Sequence, residues 1–158
     1  VKPFQHLDNI NIIKFRVSRE FSINKFFFDN QIQYQKVSNG TGVINLPELI
    51  ARNSIYFSSH LLDKAVFLQT GFSFSYFSKY YMNSYDPLLS EFYVQNSKKI
   101  GGFPLMDFFV NAKIQQTRLY FKLEHFNSSF TGYNFYSAPN YPYRDFSFRF
   151  GLVWNFFL

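Results

Sequence analysis

Ten charged residues share one habit of spacing. Lys14, Arg16, Glu20, Lys79, Asp107, Lys113, Arg118, Lys122, Glu124 and Arg149 each have a large apolar or aromatic neighbour on at least one side. In an extended strand, neighbours point to opposite faces, so such spacing puts the charges on one face and the greasy groups on the other. Acids and bases interleaved along a wet wall set up a transverse field that sorts small solutes by charge, and an excess of bases favours anions. The competing reading is that these charges pair across neighbouring strands and fill space, with each exposed pair contributing little. Asp29 and Asp145 belong to the same polar set, and the sequence leaves both readings open for every member.

Covalent chemistry has weaker support. His6, His60 and His125 are far apart and fit no HExxH or comparable metal-ligand spacing. A Ser-His pair built on His60 or His125 is the expectation of chance in a serine-rich chain. The segments around Gly40–Gly42 and at 98–102 (KKIGG) lack the phosphate-loop pattern and its strand-to-helix setting, and read as loop punctuation. Asn39-Gly-Thr41 and Asn127-Ser-Ser129 match the glycosylation triplet. The chain is therefore expected not to be an enzyme and to need neither cofactor nor metal.

Strands must position these charges, and the last stretch is the clearest of them. In DFSFRFGLVWNFFL (145–158) one face carries Phe146, Phe148, Phe150, Leu152, Trp154, Phe156 and Leu158, and the other carries Asp145, Ser147, Arg149, Gly151, Val153, Asn155 and Phe157. The same alternation runs through 10–23, where Arg19 falls on the greasy face and implies either snorkelling or a bulge. It recurs in 26–37, with Asn30 as its exception, and in 53–61, 65–80, 106–114 and 118–124. Tight turns are expected near 24, 63 and 116. Long loops are expected at 38–52, 81–103 and 127–144, the second with a short extra strand at 91–95. The loop tetrapeptide PELI (47–50) lies either on the rim or in the opening. Tyr80, Tyr81, Phe103, Tyr133 to Tyr136 and Tyr141 to Tyr143 fall at the loop end. There they suit a headgroup girdle, or sugar stacking and partner docking.

Composition narrows the class. The chain has 158 residues, no cysteine, 24 Phe and 12 Tyr, and a formal charge of +6. Without cysteine there is no disulfide framework or thiolate metal site. Mean hydropathy is slightly below zero despite the aromatics, which suits period-two mixing, and no run approaches the roughly 18 apolar residues of a membrane helix. The bases are scattered among aromatics and acids, so no nucleic-acid partner is expected. Val1 and the segment after it lack the order of a secretory signal, and the start reads as cut from something longer.

About seven strands, alternating short turns with long loops, give the asymmetry of a membrane barrel with periplasmic turns and extracellular loops. Most predicted strands run about 11 to 16 residues, against the ~5–6 usual in soluble sandwiches. With the turns inside, the first strand begins outside and the last ends in the periplasm. An even-stranded closed barrel then requires upstream strands. The expected fold is all-β: the C-terminal part of an antiparallel transmembrane β-barrel, its residues 1–158 one portion of a single domain.

Four segments carry a resemblance: KAVFLQTGFSFSYFSKYY (64–81), YDPLLSEFYVQ (85–95), KKIGGFPLMDFFVNAKIQQTRLYFKLEHF (98–126) and PNYPYRDFSFRFGLVWNFF (139–157). From about residue 13 to the end the chain resembles the C-terminal region of the putative-porin family of Bacteroidetes-type outer-membrane β-barrels. The resemblance implies a place in the cell outer membrane and a much longer full chain, and it supplies no catalytic residues. It also implies contact with outer-membrane lipid and lipopolysaccharide, and recognition of the terminal stripe by barrel-assembly machinery. Leu158 departs from the usual terminal Phe, while Trp154 and Phe156 keep the matching positions. The functional expectation is a barrel passing small hydrophilic solutes passively. The alternative is a structural barrel subunit with protein partners in an outer-membrane complex for secretion, assembly or nutrient uptake. A soluble sandwich is the third reading.

Overall fold

A computed structural model describes residues 7–40, 42–132 and 134–156. The strands are β1 Asn11–Ile23, β2 Phe26–Ser38, β3 Leu49–Leu61, β4 Val66–Phe77, β5 Ser84–Asp86, β6 Glu91–Tyr93, β7 Leu105–Ile114, β8 Thr117–Glu124, β9 Tyr136–Ala138, β10 Tyr141–Pro142 and β11 Ser147–Trp154. Seven of them form one antiparallel sheet in the order β1-β2-β3-β4-β7-β8-β11. The remaining four make two small hairpins, β5 with β6 and β9 with β10, inside the second and third long loops. The protein is all-β, and no helix among the described residues is long and apolar enough to cross a membrane, which says nothing about strands.

Turn chemistry fixes the meander. At the tight-turn end Asn24, Asp63 and Gln115 adopt left-handed backbone (φ 53°, 49° and 50°), and Leu62 and Lys64 flank Asp63 in the same region. Asn and Asp enter this region more readily than most residues, because their short polar side chains hydrogen-bond locally. Pairing in β1–β2 runs unbroken from Asn11↔Ser38 to Ile23↔Phe26, so no bulge intervenes and Arg19 does sit on the apolar face. Its guanidinium lies 4.8 Å from the Phe21 ring centroid.

Several expected boundaries move. β3 begins at Leu49, so the first long loop ends before Leu49-Ile-Ala-Arg52 rather than at Arg52. The PELI segment leads directly into β3. The Gln35 backbone N–H donates to the Glu48 carbonyl at 2.8 Å and the Gln35 Nε2 to the Pro47 carbonyl at 2.8 Å, which carries the β2–β3 ladder onward. β4 ends at Phe77 instead of residue 80, because β7 is in register with β4 only as far as Ser75↔Leu105. The last strand is shorter than the alternation suggests. Asp145 and Phe146 precede it, Asn155 and Phe156 follow it, and Phe157 and Leu158 lie outside the described residues, as do Val1, His6, Thr41 and Tyr133.

The sheet itself has no core. Phe15, Phe148 and Phe150 are 64%, 62% and 75% exposed, and no second layer covers the apolar face among the described residues. The well-buried apolar side chains, Ile100, Phe103, Phe135 and Ala138, are all at the loop end. Phe103 packs edge-on to Phe77 (5.6 Å between centroids) and to Phe135 (5.1 Å). Phe103 and Phe135 are thus the core of a loop cap and not part of a rim girdle. Tyr81 and Tyr136 lie beneath the ammonium groups of Lys99 (4.9 Å) and Lys98 (4.4 Å). Burial raises the Tyr80 hydroxyl above its usual pKa, and its backbone joins the cap through paired bonds with Ile100.

Candidate functional site

Cross-strand register arranges the polar face in rows, and one row is acidic. Glu20 pairs with Asp29, Asp29 with Ser54, Ser54 with Ser73 and Ser73 with Asp107; on the far side Glu124 pairs with Ser147. The neighbouring row toward the tight turns runs Phe27, Tyr56, Gly71, Phe109, Lys122 and Arg149. The row nearest the turns runs His60, Phe67, Lys113, Arg118 and Val153. Like charges thus share rows, and opposite charges meet between them.

Four of the ten predicted residues form one ion network. Lys122 Nζ lies 2.8 Å from Asp107 Oδ2 and 3.4 Å from Glu124 Oε1, and Arg149 Nε lies 2.9 Å from Glu124 Oε2. Pairing is what these four residues do. Glu20 accepts a hydrogen bond from the Tyr56 hydroxyl at 2.7 Å. Lys14, Arg16, Lys113 and Arg118 also face the polar side, and no ion pair engages them among the described residues. Lys79 lies two residues beyond the end of β4, where its side chain passes over Gly102 and lines a hollow with Gln35 and Glu48.

Arg52 was hidden by the loop boundary. It pairs with Gln31 on one side and Ser75 on the other, squarely on the polar face. The alternation Leu49, Ala51, Asn53 against Ile50, Arg52, Ser54 was there to find it. Arg52 lines a groove of about 580 Å³ with Asp29, Ser73, Asp107, Lys122 and Tyr143.

Two glycines let aromatic rings cross this face. The partner of Tyr56 is Gly71 and that of Tyr120 is Gly151. A Cβ at Gly151 would lie 2.2 Å from Tyr120 Cε1, and one at Gly71 would lie 2.2 Å from the Ile55 carbonyl oxygen and 2.5 Å from Tyr56 Cβ. Tyr56 stacks on Phe27 with centroids 5.1 Å apart and planes 7° from parallel, its ring tilted against Phe109 on the other flank.

His125 ties the third long loop to the sheet. It is 2% exposed, its backbone N–H donates to Asp107 Oδ1 at 2.8 Å, and Nδ1 donates to the Arg144 carbonyl at 2.8 Å. Phe135 and Tyr143 clasp its ring at 4.4 and 5.7 Å. Asn127 assists, accepting from the Met106 N–H at 2.9 Å and donating to the Pro104 carbonyl at 3.0 Å, so it is a buried brace. His60 rests on Phe67 with centroids 5.0 Å apart. Neither imidazole has a serine hydroxyl as hydrogen-bond partner among the described residues.

The opposite face carries the predicted terminal stripe. Phe148, Phe150, Leu152 and Trp154 pair with Leu123, Phe121, Leu119 and Thr117, and Phe156 stacks on Trp154 at 4.7 Å. Phe146, just ahead of β11, is also exposed. One polar row interrupts this face. Arg19 pairs with Asn30 and Asn30 with Asn53, whose Nδ2 donates to Asn30 Oδ1 at 2.7 Å.

The described residues thus define an all-β protein built on an antiparallel meander with one charged and one aromatic face, its long loops gathered at one end. The chain belongs to the family described as "Putative porin", whose model matches residues 1–158, the whole chain. No curated protein and no solved structure matches it.

Proposed function

We propose that the sheet is an arc of a transmembrane β-barrel wall in the outer membrane, built to pass small hydrophilic solutes without catalysis or cofactor. The carrying observation is the division of one continuous seven-stranded sheet into an uncovered aromatic face and a charged face. Covering one large apolar side chain stabilises by about 1.5–3 kcal/mol, so a face this size demands an apolar medium. At ~3.3 Å per residue, a 13-residue strand such as β1, β2 or β3 is about 43 Å long. Tilted by about 45°, it spans the ~30 Å hydrocarbon layer. Among the described residues the outer edges of β1 and β11 pair with no other strand, and a closed wall would cover such edges. On this reading Phe148, Phe150, Leu152 and Trp154 face lipid and form the stripe offered to barrel-assembly machinery, while the loop end meets lipopolysaccharide. The test is ion conductance of the intact, folded protein in planar bilayers. A correctly folded protein that never conducts would refute passage.

One observation favours a second reading, a structural subunit of a multiprotein outer-membrane complex. The Arg19–Asn30–Asn53 row lies on the lipid-side face, where a buried Arg costs about 2–4 kcal/mol at mid-bilayer. A protein neighbour with an acceptor there would offset that cost. Stoichiometric partners that co-purify with the native protein, and are lost in Arg19→Leu, are the expected result. Isolation only as a free barrel would oppose it.

A further inference from the structure

The basic row at the tight-turn end stands apart from every other charge on the polar face. Lys113 and Arg118 are direct cross-strand partners. Like charges in that relation destabilise a sheet, and their outer neighbours are Phe67 and Val153, so the row supplies no carboxylate to offset the repulsion. The nearest acids along the same strands, Asp107 and Glu124, are six residues away, about 20 Å at ~3.3 Å per residue, and are already held by Lys122 and Arg149. Lys113 and Arg118 are exposed and line an open hollow of about 500 Å³ together with Phe67, Asn111 and Tyr120. Two like charges set side by side on one wall draw an anion to that point.

We propose that Lys113 and Arg118 form an oxyanion-binding site for the phosphate or carboxylate group of a small solute at the tight-turn mouth of the passage. The guanidinium of Arg118 offers a fork to two oxygens, and the Lys113 ammonium adds a point charge. A bound oxyanion turns the like-charge pair from a cost into a receptor, and it makes the wall prefer anions at this mouth. The site rests on the assignment of the polar face to an aqueous passage, and its tests separate the two.

The first test is phosphorus NMR of inorganic phosphate with the intact protein folded in a phosphate-free maltoside detergent. Line broadening by the wild type is expected to weaken roughly tenfold in affinity for each of Lys113→Gln and Arg118→Gln, the size of one charge-assisted hydrogen bond. Arg118→Lys should keep most of the binding, which separates loss of charge from misfolding. Broadening that survives in the double Gln variant, or is absent from the wild type, overturns the site. Binding abolished when anionic phospholipid is added to the micelles assigns the cations to lipid headgroups and overturns the solute reading. The second test is the reversal potential in a KCl gradient, where the double variant should shift toward cations. Phosphate binding without any conductance refutes the passage and leaves the site standing; conductance with unchanged selectivity in the double variant refutes the site's place in that passage.

Discussion

Lys122 is the residue on which the polar face turns. It holds Asp107 and Glu124 together, two carboxylates from adjacent strands that repel each other once the ammonium is gone. Lys122→Met is expected to lower stability by about 1 kcal/mol, the upper end for exposed pairs, since 36% of the side chain is open to solvent and screened. Arg149→Gln, with one partner and 47% exposure, should cost less. Urea midpoints of the folded protein in micelles check both, and an Arg149 effect exceeding that of Lys122 would contradict the bridge. Gly71 acts by absence: a Cβ there meets backbone oxygen and the Tyr56 stem, so Gly71→Val should destabilise by about 1–3 kcal/mol. A neutral Gly71→Val would mean that the Tyr56 crossing is unnecessary. The faces of nine of the ten predicted charges were legible, because period two survives any uniform shift of strand ends. Their pairing was not, because it depends on cross-strand register, and that register is fixed by turns such as Gln115-Gln116 rather than by any single strand.

At the scale of elements, the loops hold most of what the sequence concealed. Alternation marks a strand's interior well, but its end is set by where the neighbour stops. That is why β4 lost residues 78–80, Lys79 with them, and why β3 gained Leu49 to Arg52. Aromatics in loops are ambiguous in the same way: Phe103 and Phe135 read as rim residues, yet only the folded cap shows them packed on each other. His125 gives a test of how that cap is held. Its ring joins β8 to the loop before β11 through the Arg144 carbonyl, Phe135 and Tyr143. Truncation to Ala removes that hydrogen bond and leaves a cavity, which in packed sites costs about 2–5 kcal/mol. The sheet's own ladders do not use the ring. Limited proteolysis of His125→Ala should therefore cut within 127–144 many times faster than wild type, while the β1–β4 region resists as before. Equal acceleration throughout the chain would show that the cap supports the whole sheet.

For the whole molecule, the question is what each face of the sheet meets, and the absence of native cysteine makes it directly measurable. Single cysteines along β11 probe the two faces within one strand. Ser147, Arg149 and Val153 share the side of Glu124, Lys122 and Arg118, whereas Phe148, Phe150 and Leu152 share the side of Leu123, Phe121 and Leu119. If lipid covers the aromatic face, a membrane-impermeant thiol reagent should label positions 147, 149 and 153 of the protein in liposomes and spare 148, 150 and 152. Quenchers attached to lipid chains should reach only the second set. The same period of two should recur in β1, with Arg16 and Ser18 labelled and Phe15 and Val17 protected, because continuous register ties that strand to the others. Position 19 carries separate information. Protection of a cysteine there from both reagents would mean that protein, rather than lipid or water, covers the Arg19–Asn30–Asn53 row. Uniform labelling of both faces would remove the bilayer from the picture altogether: the aromatic face would then be open to water, and the two-faced sheet would need a partner layer in place of lipid.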